Sequence, residues 1–267
     1  AATTVKMDFY AKPLPEIPLP NDLATRYDST SPTNRRLNAS LIAPARFESD
    51  VRRQIDEIDG WGINQPITIP FTGPLDVNSI LEGHRDSDYN PSNDVIYLID
   101  ITPGSPDVGQ LKHLDLGEGN YPVVLERLEY WQNDPRGWTI SLGFEEANED
   151  VNGNGILDPG EDINGNAVLD PGEDLNENGV LDPPEDTDAD GILDQPNYLP
   201  GAQPDREDLA ARADALMYFY ERETNTLIAT PMVPLREQTT YAVIVTKRLK
   251  DEAGNSAKGK FAVINNR

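Results

Sequence analysis

Asp150–Glu161 reads DVNGNGILDPGE, and three more copies follow without a break: DINGNAVLDPGE at 162–173, DLNENGVLDPPE at 174–185 and DTDADGILDQPN at 186–197. In this twelve-residue register every copy has an oxygen-bearing side chain at positions 1, 3, 5 and 9, and three copies end in Glu. Asp at position 1 and a Leu-Asp pair at positions 8–9 occur in all four, a regularity that a random acidic linker lacks. Residues 145–194 hold 17 acidic side chains, and no Lys or Arg occurs between Arg136 and Arg206. The segment therefore carries most of the net charge of −25. Carboxylates this dense repel one another unless a cation sits among them.

Calcium is a hard cation that takes several oxygens at about 2.3–2.6 Å, and the EF-hand loop supplies them from positions 1, 3, 5, 7, 9 and 12. The copies keep that order, so the spacing predicts three to four Ca2+ ions as the cofactor. The ligands of the first copy are Asp150, Asn152, Asn154, the carbonyl of Ile156, Asp158 and a closing Glu161. Those of the second are Asp162, Asn164, Asn166, Val168, Asp170 and Glu173; those of the third are Asp174, Asn176, Asn178, Val180, Asp182 and Glu185. The fourth offers Asp186, Asp188, Asp190, Ile192 and Asp194, and ends in Asn197, so its closing carboxylate is missing. Gly155 at position 6 allows the sharp turn that such a loop needs. Ala167 stands at the same place in the second copy, which predicts strain or a modified turn there.

The copies leave no room for helices between them and so are not paired EF-hands. They resemble thrombospondin type 3 repeats and dockerin calcium loops, and that resemblance implies that metal replaces a hydrophobic core. Apolar residues are sparse in the repeats, confined mostly to position 2 and positions 7–8. Chain entropy of about 1–2 kcal/mol per residue exceeds what so few can offset. Metal binding is then expected to be folding for this segment.

Outside the repeats the composition is ordinary. With no Cys, disulfides and thiolate metal sites are excluded. No apolar run approaches the ~18–20 residues of a membrane span. The start at Ala1, without a signal peptide, reads as a mature or trimmed terminus. The acidic balance argues against nucleic acid as a partner.

Residues 11–45 are Pro-rich and read as an extended strap. Phe47, Val51, Ile55 and Ile58 form the stripe of a short amphipathic helix over 46–59, packing onto the core and stopped by Gly60. Beyond it the apolar period becomes two. Strands are predicted at Ile67–Phe71 and Val95–Ile101, as a hairpin of Val123–Tyr130 with Trp138–Phe144, and as a second hairpin of Leu216–Arg222 with Thr226–Thr230 around Thr224-Asn225. Tyr241–Thr246 reads as a buried strand and Phe261–Ile264 as the last; a short helix within 202–215 takes Asp205 as its N-cap. Short strands with turn chemistry between them predict a mainly β chain, a β-sandwich.

GINQPITIPFTGPLDVNSI at 62–80 and LREQTTYAVIVTKRLKDEAGN at 235–255 resemble the Ig-like modules of bacterial cell-surface proteins. With Pro18-Leu19-Pro20-Asn21-Asp22 before them, they are similar to the N-terminal region of bacterial virulence-factor lipases, whose catalytic domain lies downstream. The resemblance implies an Ig-like module, and with the strand pattern it gives a β-sandwich at 61–144 and 198–267 and a strap and helix at 1–60; the repeats fall between the strand ending at Phe144 and the helix near Asp205, an arm inserted at 145–197.

No Gly-x-Ser-x-Gly elbow, P-loop or dinucleotide fingerprint occurs. His84 and His113 both sit in polar stretches and read as solvated. The chain is therefore expected to be non-catalytic: an extracellular or cell-surface calcium-binding structural or adhesive protein, with other surface proteins or its own copies as partners. The alternatives are an accessory domain of a lipase-like hydrolase and a subunit of a calcium-stabilised filament or surface layer.

Overall fold

The structure, a computed structural model, describes residues 2–11, 15–84, 90–116, 148–187, 191, 193–205 and 208–261. The predicted hairpin of Val123–Tyr130 with Trp138–Phe144, the strand beyond Phe261, and Asp188, Asp190 and Ile192 lie outside the described residues. The protein is mainly β. It divides into two compact units, Ala1–Asn120 with Met217–Arg267, and Tyr121–Leu216.

The first unit is built on alternation. In β3 (Ile67–Pro70) the β-branched Ile67 and Ile69 point inward, and Phe71 just beyond has no accessible surface. Its antiparallel neighbour β8 (Thr226–Pro231) alternates in the same way, pairing Leu227 with Ile69 and Ala229 with Ile67. Burying each large side chain contributes about 1.5–3 kcal/mol, so strand register is set by which face holds these residues. β6 (Leu114–Asp115) and β7 (Tyr220–Glu221) also pair with β8. The second hairpin thus forms where the sequence places it, with Asn225 at φ 53°, but its first strand is two residues long rather than seven.

A second antiparallel sheet runs in the order β5 (Leu111–Lys112), β4 (Ile96–Asp100), β9 (Tyr241–Val245). Only His113 separates β5 from β6, so the chain changes sheet within a single residue. β4 buries Ile96, Leu98 and Asp100 and half-exposes Tyr97 and Ile99; it alternates although its sequence is almost continuously apolar. β9 is a strand but not the buried one expected: Val243 and Ile244 are exposed.

The strap at 11–45 is more structured than its prolines imply. β1 (Thr25–Tyr27) and β2 (Arg35–Leu37) form a hairpin, tied by Arg36 Nε donating to Asp28 Oδ2 at 2.7 Å. Leu19 exchanges two backbone hydrogen bonds with Thr68, of 3.0 and 2.7 Å, so the strap covers the free edge of β3.

Helix α1 (Arg46–Ile55) corrects two expectations. It ends five residues before Gly60, and its apolar stripe does not pack onto the core: Phe47 is 80% exposed, and Val51 and Ile58 are also exposed. The side chain it buries is Arg52, whose Nη1 donates to the carbonyls of Ser40 and Ile42 at 3.1 and 2.8 Å. Those are strap carbonyls without strand partners, so helix–strap docking is made by an ion rather than a stripe. α2 (Val77–Gly83) is capped by Asp76, which accepts from Asn78 N–H. In the second unit, α3 (Leu209–Ala215) is capped by Asp208, not Asp205: Asp208 Oδ1 accepts from Ala211 N–H at 3.0 Å.

The motif Lys250-Asp251-Glu252-Ala253-Gly254-Asn255 acquires a reason. Asp251 is buried, and its carboxylate accepts from the backbone N–H groups of Thr3, Ala253 and Asn255 at 2.8–3.1 Å. Burial pushes its pKa up, but these donors outweigh burial and hold it below the ordinary aspartate value. One carboxylate thereby pins the N-terminal segment to a tight turn.

Candidate metal centre

In each repeat the position-1 Asp is a hydrogen-bonding hub. Asp150 Oδ2 accepts from Gly155 N–H at 3.0 Å, Asp162 Oδ2 from Ala167 N–H at 2.9 Å, Asp174 Oδ2 from Gly179 N–H at 2.9 Å, and Asp186 Oδ2 from Gly191 N–H at 3.1 Å. The position-6 residue has positive φ in every copy, including 59° for Ala167, so that the predicted strain is present. Position 4 is left-handed too, at Gly153, Gly165 and Glu177, which the sequence reading missed.

Positions 3, 5 and 9 converge. Asn152 and Asn154 both point amide nitrogens at Asp158 Oδ2, each at 2.7 Å. Asn164 and Asn166 do the same to Asp170, and Asn176 and Asn178 to Asp182, at 2.7–2.9 Å. Their amide oxygens accept from the backbone N–H two residues on, Asn152 Oδ1 from Asn154 and Asn154 Oδ1 from Ile156 at 2.9 and 2.6 Å, and each such oxygen keeps a second lone pair for a cation. Among the described residues no three His, Cys, Asp or Glu side chains gather as a cation cluster. The first three loops instead mix two aspartates with two asparagines.

The position-12 glutamates hold the main correction. Sequence register gives Glu161 to the first loop and Glu185 to the third; the structure crosses them. Glu185 accepts from Val151 and Asp158 N–H at 2.9 and 3.0 Å, both in the first loop. Glu161 accepts from Leu175 and Asp182 N–H at 2.8 and 3.2 Å, both in the third. Their backbones reciprocate: Glu161 N–H donates to Asp182 O at 3.0 Å and Glu185 N–H to Asp158 O at 3.1 Å. Glu173 stays at home, accepting from Asp170 N–H at 3.0 Å. The fourth loop, which ends in Asn197, also has a glutamate bonded to it: Glu149 accepts from Thr187 and Asp194 N–H at 2.6 and 3.2 Å. Glu149 stands one residue before the first copy, which is position 12 of the preceding frame; that offset was the available signal.

All four glutamates are buried, Glu149 and Glu161 at 1–2% exposure. Buried carboxylates are costly unless hydrogen-bonded or paired, and the repeats contain no Lys or Arg to pair with them. One atom stands out further. Asp150 is only 9% exposed, and its Oδ1 is fully buried with no hydrogen-bond partner. An acceptor in that state carries an uncompensated desolvation cost of about 1–3 kcal/mol.

One of the two histidines departs from expectation. His113 is exposed, but the His84 side chain is only 9% exposed. Both line one cavity of about 110 Å³ with Asp94, Tyr97, Lys112 and Met232. His84 Nδ1 lies 3.8 Å from Asp94 Oδ1.

Comparison with known proteins found no matching family model, no matching curated protein and no matching solved structure.

Proposed function

We propose that this chain is an extracellular, non-catalytic calcium-binding surface protein, in which three to four Ca2+ ions stiffen the repeat arm for a structural or adhesive role. The observation that carries the reading is Asp150 Oδ1, a buried and unpartnered carboxylate oxygen at position 1 of a loop whose other oxygen-bearing side chains converge. A divalent cation relieves that cost, whereas a neutral donor does not balance the charge of the segment. The donor set, carboxylate and amide oxygens only, suits calcium rather than a softer metal. Asp150, Asn152, Asn154 and Asp158 would hold it in the first loop, with equivalent residues in the others. Calcium supplies charge neutralisation and a rigid cross-link; the chain supplies the oxygens and the turns that order them.

The extracellular assignment rests on chemistry. Modules of this kind bind calcium with Kd of about 10⁻⁴–10⁻³ M, which matches calcium outside cells and leaves such sites empty inside them. An Ig-like sandwich in the first unit is supported by its two larger antiparallel sheets, whose strands β3, β4 and β8 alternate in burial, and by the single residue, His113, at which the chain passes from one to the other.

The test is calorimetric titration of the chelator-stripped protein with Ca2+, paired with thermal melts in calcium and in chelator. Three or four sites, and a transition present only in calcium, are expected. Absence of binding would refute the assignment and leave the repeats as a solvated acidic segment.

A further inference from the structure

We propose that the first and third repeats form one calcium-binding unit in which each loop takes its closing carboxylate from the other. On metal entry Glu185 closes on the site of Asp150, Asn152, Asn154 and Asp158, and Glu161 on that of Asp174, Asn176, Asn178 and Asp182; without the metal no three such carboxylates gather among the described residues. This rests on the calcium reading above and assigns its ligands differently from the EF-hand order.

The crossing is fixed by several contacts in each direction. Glu185 Oε1 serves Val151 and Asn152 N–H at 2.9 and 3.4 Å, while its Oε2 serves Asp158 N–H. Glu161 repeats the pattern atom for atom on Leu175, Asn176 and Asp182. A carboxylate has about four lone-pair sites, so three N–H bonds leave acceptor capacity for a cation. The loops also touch directly: a Cβ on Gly160 would lie 2.6 Å from Pro184 Cδ. Position 11 of the first repeat is thus pressed against position 11 of the third. Asp150 Oδ1 supplies the independent sign of a ligand at the first site.

The arrangement couples the two ions. A cation in the first loop holds Glu185, and Glu185 is the last residue of the repeat that builds the third loop. The second ion then meets a partner already ordered by the first. By linkage, whatever one ion gains from the other is returned in equal measure. The two sites should fill together, while the second repeat, closed by its own Glu173, fills independently.

The experiment uses the full chain, ¹⁵N-labelled, stripped with chelator and titrated with CaCl₂. Gly155 and Gly179, the position-6 residues of the first and third loops, report each site through their amide shifts. In the unaltered chain both shifts should share one midpoint. Glu185→Gln should raise the Gly155 midpoint at least tenfold and Gly179 by less; Glu161→Gln should do the reverse. Glu173→Gln should leave both where they are. If Glu185→Gln instead acts mainly on Gly179, each glutamate closes its own loop and the exchange is wrong. No calcium response at either glycine in the unaltered chain overturns the proposal together with the calcium reading. Should a glutamine variant unfold the arm, Glu185→Asp keeps the charge, shortens the reach and must give the same crossed pattern.

Discussion

Replacing Gly160 with alanine puts the packing of the first repeat against the third under direct stress. The new methyl carbon would lie 2.6 Å from Pro184 Cδ, 2.8 Å from Pro184 N and 3.3 Å from Pro184 Cα. Carbon–carbon contacts settle at about 3.5–4.0 Å, so the loops must part by roughly 1 Å. The backbone cannot give way cheaply, since two of the three atoms are main chain. Parting by that amount takes the 3.0 Å bond from Glu161 N–H and the 3.1 Å bond from Glu185 N–H toward or past the hydrogen-bond limit. Overpacking costs about 1–3 kcal/mol, which corresponds to roughly 5- to 150-fold in an equilibrium constant. Gly160 does not have positive φ, so no conformational strain confuses the result. Amide hydrogen exchange at Glu161 and Glu185 measures the contact, and calcium titration measures its consequence. Faster exchange at both amides and a weaker calcium midpoint are expected. Wild-type exchange at these two amides in Gly160→Ala would refute the reasoning, because the loops would then not be in contact there.

Three further outcomes follow from other parts of the chain. Tyr220→Phe removes the hydroxyl that accepts from Leu75 N–H at 2.9 Å and donates to Asn225 Oδ1 at 3.1 Å, so a buried N–H loses its partner. The loss should be about 1–3 kcal/mol, read as a lower urea midpoint with unchanged slope. Asp251→Asn should destabilise the first unit near neutral pH. Because the folded pKa lies below the ordinary 3.8, the wild-type contribution is full above that value and is lost as pH falls through the folded pKa. Urea midpoints of the two proteins should therefore converge in acid, and a gap independent of pH would count against the carboxylate's role. Ala167→Gly relieves a non-glycine φ of 59° and should stabilise the second repeat by about 1 kcal/mol or less, after the unfolded chain's gain in freedom. A lower melting temperature of the arm would contradict it.

Local rules in the sequence were legible where packing followed them. Ile67, Ile69, Leu227 and Ala229 alternate and are buried as alternation requires. The twelve-residue register recurs in the hydrogen bonds of the three loops described in full, where positions 3 and 5 both reach position 9. Partnership between repeats was not legible, because a twelve-residue period looks identical whether a glutamate closes its own loop or another's. Glu149 was overlooked for a related reason, since it lies outside the copies as they are written. At α1 the pattern misled: the stripe is real, but the neighbouring strap offers bare carbonyls, and Arg52 meets them better than Phe47 or Val51 does. His84 was misjudged from its polar neighbours, which say nothing of the fold around the end of α2.

An array whose units each close themselves can be lengthened or cut one unit at a time. The crossed glutamates remove that freedom here. Deleting residues 174–185 would take Glu185 from the first loop and strand Glu161 with nothing to close. Deleting 162–173, a repeat closed by its own Glu173, would erase the span of chain that lets the first and third face one another. Duplication meets the same obstacle, since an added copy shifts which glutamate arrives at which loop. On the proposed closures, repeat number here is fixed by the glutamate pairings, and a chain of different length would have to rewire them rather than simply count.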